Sequence, residues 1–272
     1  MPTLKDISVR LKSINNIQKI TKSMKMVSAA KYARAERELK PAKPYGEATN
    51  AFLDKLELSE LEKQPDNLMV VLTSDRGLCG AVHSNIGRLV KGDLAAEATA
   101  KNNKLICVGD KAKQILQRVA GESILFSVNE YGRQPPTFED ASRLCVAIVD
   151  AGFKFNQGDI YYNVFKSVVS YKPSKLPLFS PEVVQQSEKL AQFDSVDTDV
   201  MECYMEFHMV AQMYYALKEA ACSEQSSRMT AMDAASKNAG EMIDALTLQF
   251  NRTRQAVITK ELIEIISGAA AV

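Results

Sequence analysis

The part of this chain whose residue types could do chemistry is the turn Ser74-Asp75-Arg76-Gly77-Leu78-Cys79-Gly80. It follows the apolar run 68–72, which predicts a buried strand, and precedes a helix-like stretch, where α/β folds often bind ligands. Cys79 could act as a nucleophile, with His83 one helical turn later as its base, or Asp75 could be active. However, the turn lacks both G-x-G-x-x-G and the G-K-[ST] ending of a phosphate-binding loop. Because no third orienting group is visible either, catalysis here is the weaker hypothesis.

The cysteines and histidines do not show the spacing of a metal site or a disulfide framework. The five cysteines are scattered and include no C-x-x-C pair, so we expect small buried side chains in a reducing compartment. They are Cys79, Cys107, Cys145, Cys203 and Cys222. With only His83 and His208, a histidine-based metal site is not expected. The residues therefore indicate no catalytic centre, no cofactor and no metal.

The composition, 46% hydrophobic and 25% charged, is ordinary for a soluble protein. No stretch approaches the roughly 20 apolar residues of a membrane-spanning helix, so no direct membrane span is predicted. The N-terminal region has no apolar signal-peptide core. It is basic and amphipathic, like a mitochondrial transit peptide, but it contains Asp6, Glu36 and Glu38. We therefore interpret it as part of the mature protein.

Strand and helix patterns alternate through the middle of the chain. After the strand at 68–72 they predict, in order, a helix at 81–101, a strand at 104–108, a helix at 110–119, a strand at 124–129, a helix at 137–151 and a strand at 160–170. This alternation predicts a mostly parallel sheet covered by helices, a central Rossmann-like α/β domain over residues 66–181. Pro173, Pro177 and Pro181 are expected in loops that close the domain.

Two long helical patterns bracket that domain. Residues 3–40 contain neither Gly nor Pro, and residues 182–267 contain no Pro and only Gly240. Both exceed by far the mean globular helix of about 11–12 residues. Two such helices most simply bury their apolar stripes on each other, so we predict that the N-terminal segment 1–60 packs on the C-terminal segment 195–272 as a coiled coil.

The apolar stripe of the first helix slips in its repeat after Ile14 and therefore winds around the helix. Its members are Leu4, Ile7, Leu11, Ile14, Ile17, Ile20, Met24 and Val27. Pro41 and Pro44, together with Gly46, predict a break or kink before a second helical stretch at about 48–63.

The last helix carries a regular alternation of three and four residues, typical of a left-handed coiled coil. Its members are Met229, Met232, Ser236, Ala239, Ile243, Leu246, Phe250, Thr253 and Val257. Gly240 costs about 1 kcal/mol against Ala in a helix interior, which indicates a packing reason or a local weakness. Residues 262–272 are almost wholly apolar, with Gly268 as the expected helix stop, so we expect this tip to be enclosed.

The net charge of +1 is unevenly distributed along the chain. Residues 1–43 hold eleven Lys/Arg against three Asp/Glu, a net of +8, whereas residues 182–224 have a net of −7. Such asymmetry indicates interaction surfaces. The basic helix could lie along nucleic-acid phosphates, although its only aromatic residue, Tyr32, provides no stacking platform. It could also face an acidic protein surface. A nucleic-acid-binding coiled coil and an α/β enzyme are both kept as alternatives.

Four stretches resemble one known family. They are ITKELIEIISGAAA at 258–271, NIQKITKSMKMVSAAKY at 16–32, the turn at 74–80 and SEQSSRMTAMD at 223–233. Together they resemble the gamma subunit of F-type ATP synthases, and the similarity runs in order along the whole chain. Overall similarity favours the mitochondrial version.

The resemblance implies a central rotor stalk with no catalytic activity of its own. The two long helices would form an antiparallel coiled coil inside a ring of alternating alpha and beta subunits, and the α/β domain would be the foot. Proton flow would turn a membrane rotor ring and this shaft, which forces the catalytic beta subunits through different conformations. The implied partners are the alpha and beta subunits, the small delta/epsilon stalk subunits and the rotor ring, with no nucleic acid. The implied location is the matrix side of the mitochondrial inner membrane.

The resemblance also implies partner-contact residues. Arg254, Gln255 and Thr259, with Met24 beside them on the first helix, would form the catch contact with the beta subunit. The acidic segment that contains Asp194, Asp197 and Asp199 would lie where the foot meets the rotor ring.

Overall fold

The computed structural model describes residues 3–56, 58, 66–96, 102–194 and 196–270. Its helices are α1 (Leu4–Leu56), α2 (Val82–Ala96), α3 (Asp110–Ala120), α4 (Phe138–Asp150), α5 (Pro181–Gln185) and α6 (Thr198–Ala270). Its strands are β1 (Asp66–Leu72), β2 (Asn102–Val108), β3 (Ile124–Val128), β4 (Gln157–Ser167) and β5 (Ser170–Phe179). Short 3₁₀ turns cover Gly121–Ser123 and Glu188–Gln192. The predicted alternation of strands and helices is confirmed.

The five strands form one sheet in the order β3-β2-β1-β4-β5. The first four are parallel to one another, and β5 runs antiparallel to β4. Successive side chains of a strand point to opposite faces. Leu68, Val70 and Leu72 therefore pack on one face with α4 and α6, while Met69 and Val71 pack on the other with α2 and α3. Burial on both faces explains the uninterrupted apolar run of β1.

The region of Pro173 and Pro177 is a strand, so its prediction as a loop is wrong. Both prolines lie in β5, which is the edge strand beyond β4. Proline cannot donate a backbone hydrogen bond and is tolerated in edge strands. Because the two prolines are four residues apart, both nitrogens point to the same side of β5, and the ladder to β4 is preserved. Pro181, in contrast, begins the short helix α5.

The chain forms two compact units, one made of residues up to Ser28 with residues from Met229 onward, the other of Ala29–Arg228. In the larger unit, the sheet packs with the second half of α1 and the first half of α6. Glu38 bonds Lys218 and Asn50 bonds Gln212 and His208, so the two helices run antiparallel. The division into an N-terminal segment 1–60, a central domain 66–181 and a C-terminal segment 195–272 stays a prediction.

In the smaller unit the seam predicted on α6 is confirmed up to Thr253. Its side chains are buried or half-buried, while the residues between them are mostly exposed. Lys25 bonds Asp233, and Gln18 lies beside Gly240, so α1 and α6 run antiparallel here too. A Cβ at Gly240 would lie 3.1 Å from Gln18 Nε2, which gives this glycine a packing neighbour.

Helix α1 continues through Pro41 and Pro44, so the predicted break is wrong, and the alternative of a kink stays a prediction. Each proline removes one backbone donor, but contacts with α6 hold the helix on both sides. Leu39 and Ala42 are buried, and Gln212 Nε2 donates to the Gly46 carbonyl at 3.0 Å. The continuation predicted beyond Leu56 falls on residues outside the described ones, except Leu58.

Four of the five cysteines are buried, as predicted, but Cys203 is exposed. It lies in the first turns of α6, next to the buried Met201 and Met205 but on the opposite, solvent side. In the described part of the chain, no helix is both long and apolar enough to cross a membrane.

Candidate functional site

The sequence-predicted contact residues Arg254, Gln255 and Thr259 lie on α6 beyond the seam. All three are exposed, as is every described residue from Arg254 to Ala270. The Thr259 hydroxyl donates to the Gln255 carbonyl at 2.9 Å, a bond within the helix. The Arg254 guanidinium and the Gln255 amide therefore point several donors outward, suited to carboxylates or carbonyls of another molecule.

The same segment carries an unusual apolar surface. Its exposed large hydrophobic residues are Val257, Ile258, Leu262, Ile263, Ile265 and Ile266. At about 100° per residue these side chains cover about 240° of the helix circumference. An apolar surface that wide is typical of a helix enclosed by partners rather than of one docked along a single face.

Met24 is not beside those residues, so that part of the prediction is wrong. Its neighbour Lys25 bonds Asp233 at 2.6 Å, which places Met24 at the level of residue 233 on α6. At about 1.5 Å of rise per residue, Arg254 lies about 30 Å further along α6. An antiparallel partner helix reaches that level with its first residues, near Leu4. The half-buried Met24 belongs to a different part of the surface.

A second exposed apolar surface lies on α1, and the sequence analysis did not predict it. Ile17, Ile20 and Val27 are 52%, 57% and 55% exposed, although they were assigned to the buried stripe. The seam instead continues through Gln18 and Thr21, in the three-four spacing set by Leu4, Ile7, Leu11 and Ile14. The changed spacing of the apolar residues after Ile14 was the sequence signal, because a seam of constant three-four spacing cannot include Ile17 and Ile20.

Exposed basic side chains lie on the same part of α1 as the exposed isoleucines. They are Lys12, Lys19 and Lys22. Apolar and basic side chains exposed together on one helix are typical of a surface that meets another protein.

The predicted foot residues Asp194, Asp197 and Asp199 are exposed and close together in the chain. The Asp197 carbonyl accepts from Met201 N at 3.0 Å, and Asp199 lies in the first turn of α6. A carboxylate at a helix N-terminus is favourable, so Asp197 and Asp199 also have a local structural role.

In the turn at 74–80, the side chain of Asp75 is structural. Its carboxylate accepts hydrogen bonds from Asp110 N at 2.9 Å and Glu130 N at 2.6 Å. It thereby ties the end of β1 to the residues that follow β2 and β3. Both carboxylate oxygens are engaged by backbone donors, which leaves Asp75 poorly placed as a base.

Cys79 and His83 do not form a nucleophile–base pair. Burial raises the pKa of the Cys79 thiol to about 11, and Cys79 Sγ contacts the Arg76 carbonyl. His83 Nε2 lies 3.2 Å from the same carbonyl oxygen and 3.3 Å from Ser74 Oγ. Because a carbonyl only accepts, Nε2 carries the proton, and burial lowers the pKa of His83. Nδ1 is then the nitrogen left to act as a base, and it has no hydrogen-bond partner among the described residues, so it faces no nucleophile.

A cavity of about 530 Å³ opens near the ends of β1 and β3, in contact with Ser74 and His83. The charged side chains on its wall are engaged within the chain. Arg133 pairs with Glu130, Arg143 pairs with Glu139, and Glu224 pairs with Arg228. Among the described residues no group of three His, Cys, Asp or Glu is arranged to hold a metal ion.

Comparison with known proteins identifies the family. The family model described as ATP synthase matches residues 3–272. The mitochondrial ATP synthase subunit gamma of Drosophila melanogaster is 61% identical, over 100% of this chain and 91% of that protein. The mitochondrial ATP synthase F(1) complex subunit gamma of Rattus norvegicus is 54% identical, over 99% of each chain.

Solved structures show the same fold. A chain of the Tetrahymena thermophila mitochondrial ATP synthase central stalk and c-ring matches 80% of this chain and 99% of its own length, with a TM-score of 0.68 and 28% identity. A chain of the Euglena gracilis mitochondrial ATP synthase rotor matches 94% of this chain and 98% of its own, with a TM-score of 0.80. At 20% identity this second match concerns the fold alone. The chain belongs to the ATP synthase gamma-subunit family.

Proposed function

We propose that this chain is the central rotor stalk of an F-type ATP synthase. It couples proton-driven rotation of the membrane ring to the conformational cycle of the catalytic beta subunits. Its partners are the alpha and beta subunits, the small delta/epsilon stalk subunits and the rotor ring. Its location is the matrix side of the mitochondrial inner membrane.

The observation that carries the proposal is the exposed α6 segment 254–270. Valine, isoleucine and leucine side chains surround most of this helix, and no described part of the chain covers them. Burying such a surface is favourable by about 25 cal/mol per Å² of apolar area, so partners that enclose it are favoured strongly. A ring of subunits provides such an enclosure, and apolar contacts, which are not directional, let the helix turn within it.

Three separate partner contacts are proposed. Arg254, Gln255 and Thr259 form the upper catch contact with a beta subunit, and Met24 contributes to a separate contact about 30 Å lower. The foot contact with the rotor ring involves Asp194, Asp197 and Asp199. In functional terms, segments 1–60 and 195–272 are the shaft and segment 66–181 is the foot.

We further propose that the chain has no catalytic activity. The three side chains considered for catalysis are Asp75, Cys79 and His83. The Asp75 carboxylate is held by backbone donors, the Cys79 thiol has a raised pKa, and the free ring nitrogen of His83, Nδ1, has no hydrogen-bond partner among the described residues. ATP turnover therefore belongs to the alpha and beta subunits.

The test is reconstitution from purified components. The chain alone should hydrolyse no ATP, and with alpha and beta subunits it should form a stable complex that does. Cys79→Ala should leave the activity of that complex unchanged. ATP hydrolysis by the clean isolated chain, or failure to assemble with the alpha and beta subunits, would contradict the proposal.

A further inference from the structure

One stretch of α6 is both buried and polar. Within residues 219–228, Glu219, Ser223, Glu224, Ser226 and Arg228 are all at least nine-tenths buried. Buried polar groups are costly unless they are hydrogen-bonded, so their partners indicate what the stretch is for. All these residues and their partners lie within the larger compact unit.

Two of these side chains bond the backbone of strand β4, and a third bonds just beyond it. The Glu219 carboxylate accepts from Phe165 N at 2.7 Å, and the Ser223 hydroxyl donates to the Asn163 carbonyl at 3.0 Å. Ser226 Oγ donates to the Val168 carbonyl, in the turn between β4 and β5. Helix α6 is therefore attached to the sheet at three successive levels.

Two further side chains attach the same helix to the loop that follows β1. Ser227 Oγ donates to the Cys79 carbonyl at 2.7 Å, and Arg228 Nε donates to the Gly77 carbonyl at 3.3 Å. The Arg228 guanidinium also pairs with Glu224 on its own helix, which balances its charge. These five hydrogen bonds all reach backbone groups of the α/β part.

These hydrogen bonds differ from the apolar contacts nearby because they are directional. Met213, Ala216 and Leu217 of α6 pack on the sheet core, and such contacts have no preferred direction along or around a helix. Hydrogen bonds weaken steeply when their angle or distance changes. Because the site is mostly buried, water cannot replace a broken bond, so turning or sliding α6 would break several bonds together.

We propose that Glu219, Ser223, Ser226, Ser227 and Arg228 form a polar clamp that transmits torque between the α/β foot and helix α6. The inference rests on the proposed rotor function. Helix α6 continues from Arg228 into the segment that is enclosed by the catalytic subunits. The clamp fixes its rotational position on the foot, so rotation of the foot reaches the catalytic sites without slipping.

The test uses the complete enzyme in sealed vesicles, with the variant Ser223→Ala, Ser226→Ala and Ser227→Ala combined. Each change removes one hydroxyl and leaves a backbone carbonyl on the foot without its donor. ATP hydrolysis is measured with an uncoupler present, and protons pumped per ATP are measured against increasing opposing proton gradients. We expect unchanged hydrolysis without a gradient and a fall of about twofold or more in protons per ATP at the highest gradient.

The controls separate slipping from a loss of folded enzyme. Ser13→Ala removes an exposed hydroxyl that donates to the Val9 carbonyl within helix α1, and it should behave as wild type. Ser227→Ala alone should lower the protons pumped per ATP slightly at the highest gradient. Ser227→Thr keeps the hydroxyl at a half-buried position and should not lower them. A folding defect lowers hydrolysis and pumping together and does not depend on the gradient.

Protons per ATP that stay at the wild-type value at every gradient would overturn the clamp, as would equal losses in Ser227→Ala and Ser227→Thr. The wild-type chain tests the rotor proposal in the same assay. If vesicles that contain the wild-type chain do not pump protons on adding ATP, the proposed function fails and not the clamp alone.

Discussion

Lys218 Nζ lies 2.7 Å from Glu38 Oε2 and joins helix α6 to helix α1 just before the two prolines of α1. Lys218 is 8% exposed, and its ammonium also lies 5.3 Å from the centre of the Tyr214 ring. Burial favours the neutral acid, but hydrogen bonds from Lys218 and Arg34 hold the pKa of Glu38 below its ordinary value. The pair is thus a partly dehydrated cross-link between the helices.

Replacing Lys218 with Met should destabilise the full-length chain by about 1–3 kcal/mol, because Glu38 loses a charged donor in a half-buried place. Arg34, 2.8 Å from the other Glu38 oxygen, limits the loss. Urea unfolding measures the effect. Arg143→Ala is the matched control, since it breaks a pair with Glu139 that is exposed on both sides and should cost almost nothing. Equal effects of the two variants would show that burial of the Lys218 pair is unimportant.

Two helical glycines should respond to alanine in opposite directions. At Gly240 the new Cβ meets only the flexible end of Gln18, so Gly240→Ala should raise stability by about 0.5–1 kcal/mol through higher helix propensity. At Gly46 the Cβ would lie 2.7 Å from Tyr215 Cβ, so Gly46→Ala should lower stability markedly. Melting temperatures of the two variants provide the comparison, and a gain at Gly46 would contradict the packing described for it.

The stability of the chain should depend on pH through a buried histidine. Burial lowers the pKa of His208 from 6.5 to about 4. Its Nε2 lies 3.0 Å from Asn50 Oδ1, and its ring stacks on Tyr204. Between those pH values the unfolded chain binds a proton that the folded chain does not. Stability is therefore complete above pH 6.5 and falls as the pH drops towards 4, by an amount on the order of 3 kcal/mol.

Urea unfolding at pH 7 and pH 5 tests this dependence. In His208→Gln the loss of stability on acidification should shrink, although part of it should remain because burial also lowers the pKa of His83. An unchanged pH dependence in His208→Gln would assign the effect to other groups.

The catch contact should be separable from the fold. Arg254→Ala combined with Gln255→Ala should leave the melting temperature of the lone chain nearly unchanged, because both side chains are exposed. In the assembled enzyme the same pair should reduce coupling between ATP turnover and proton pumping. Arg252→Ala, at an exposed arginine two residues before Arg254, is the control. A large drop in the melting temperature of the lone chain would show instead that Arg254 and Gln255 are structural.

Much of the architecture could be predicted because it follows from local patterns. The apolar run of β1 and the three-four seam from Met229 to Thr253 each specify one geometry, and both were confirmed. The strand character of β5 could not be read from its prolines, because their tolerance depends on which strand lies at the sheet edge.

The site was harder to predict for a related reason. The partner helix α6 determines which residues of α1 are covered. It covers Gln18 and Thr21 and leaves Ile17 and Ile20 exposed. The separation of Met24 from Arg254 is likewise a property of the antiparallel register. A sequence places residues along a helix, but only the pairing places the two helices in register.

In the proposed function this chain turns inside its partners. Cys203 is the exposed one among its five cysteines and therefore offers a native attachment point for a gold bead through a maleimide linker. With cysteine-free alpha and beta subunits fixed to a surface, we expect that adding ATP makes the bead turn continuously in one direction, and that removing ATP stops it. A bead that only fluctuates while the same complexes hydrolyse ATP would show that this chain is not a rotor.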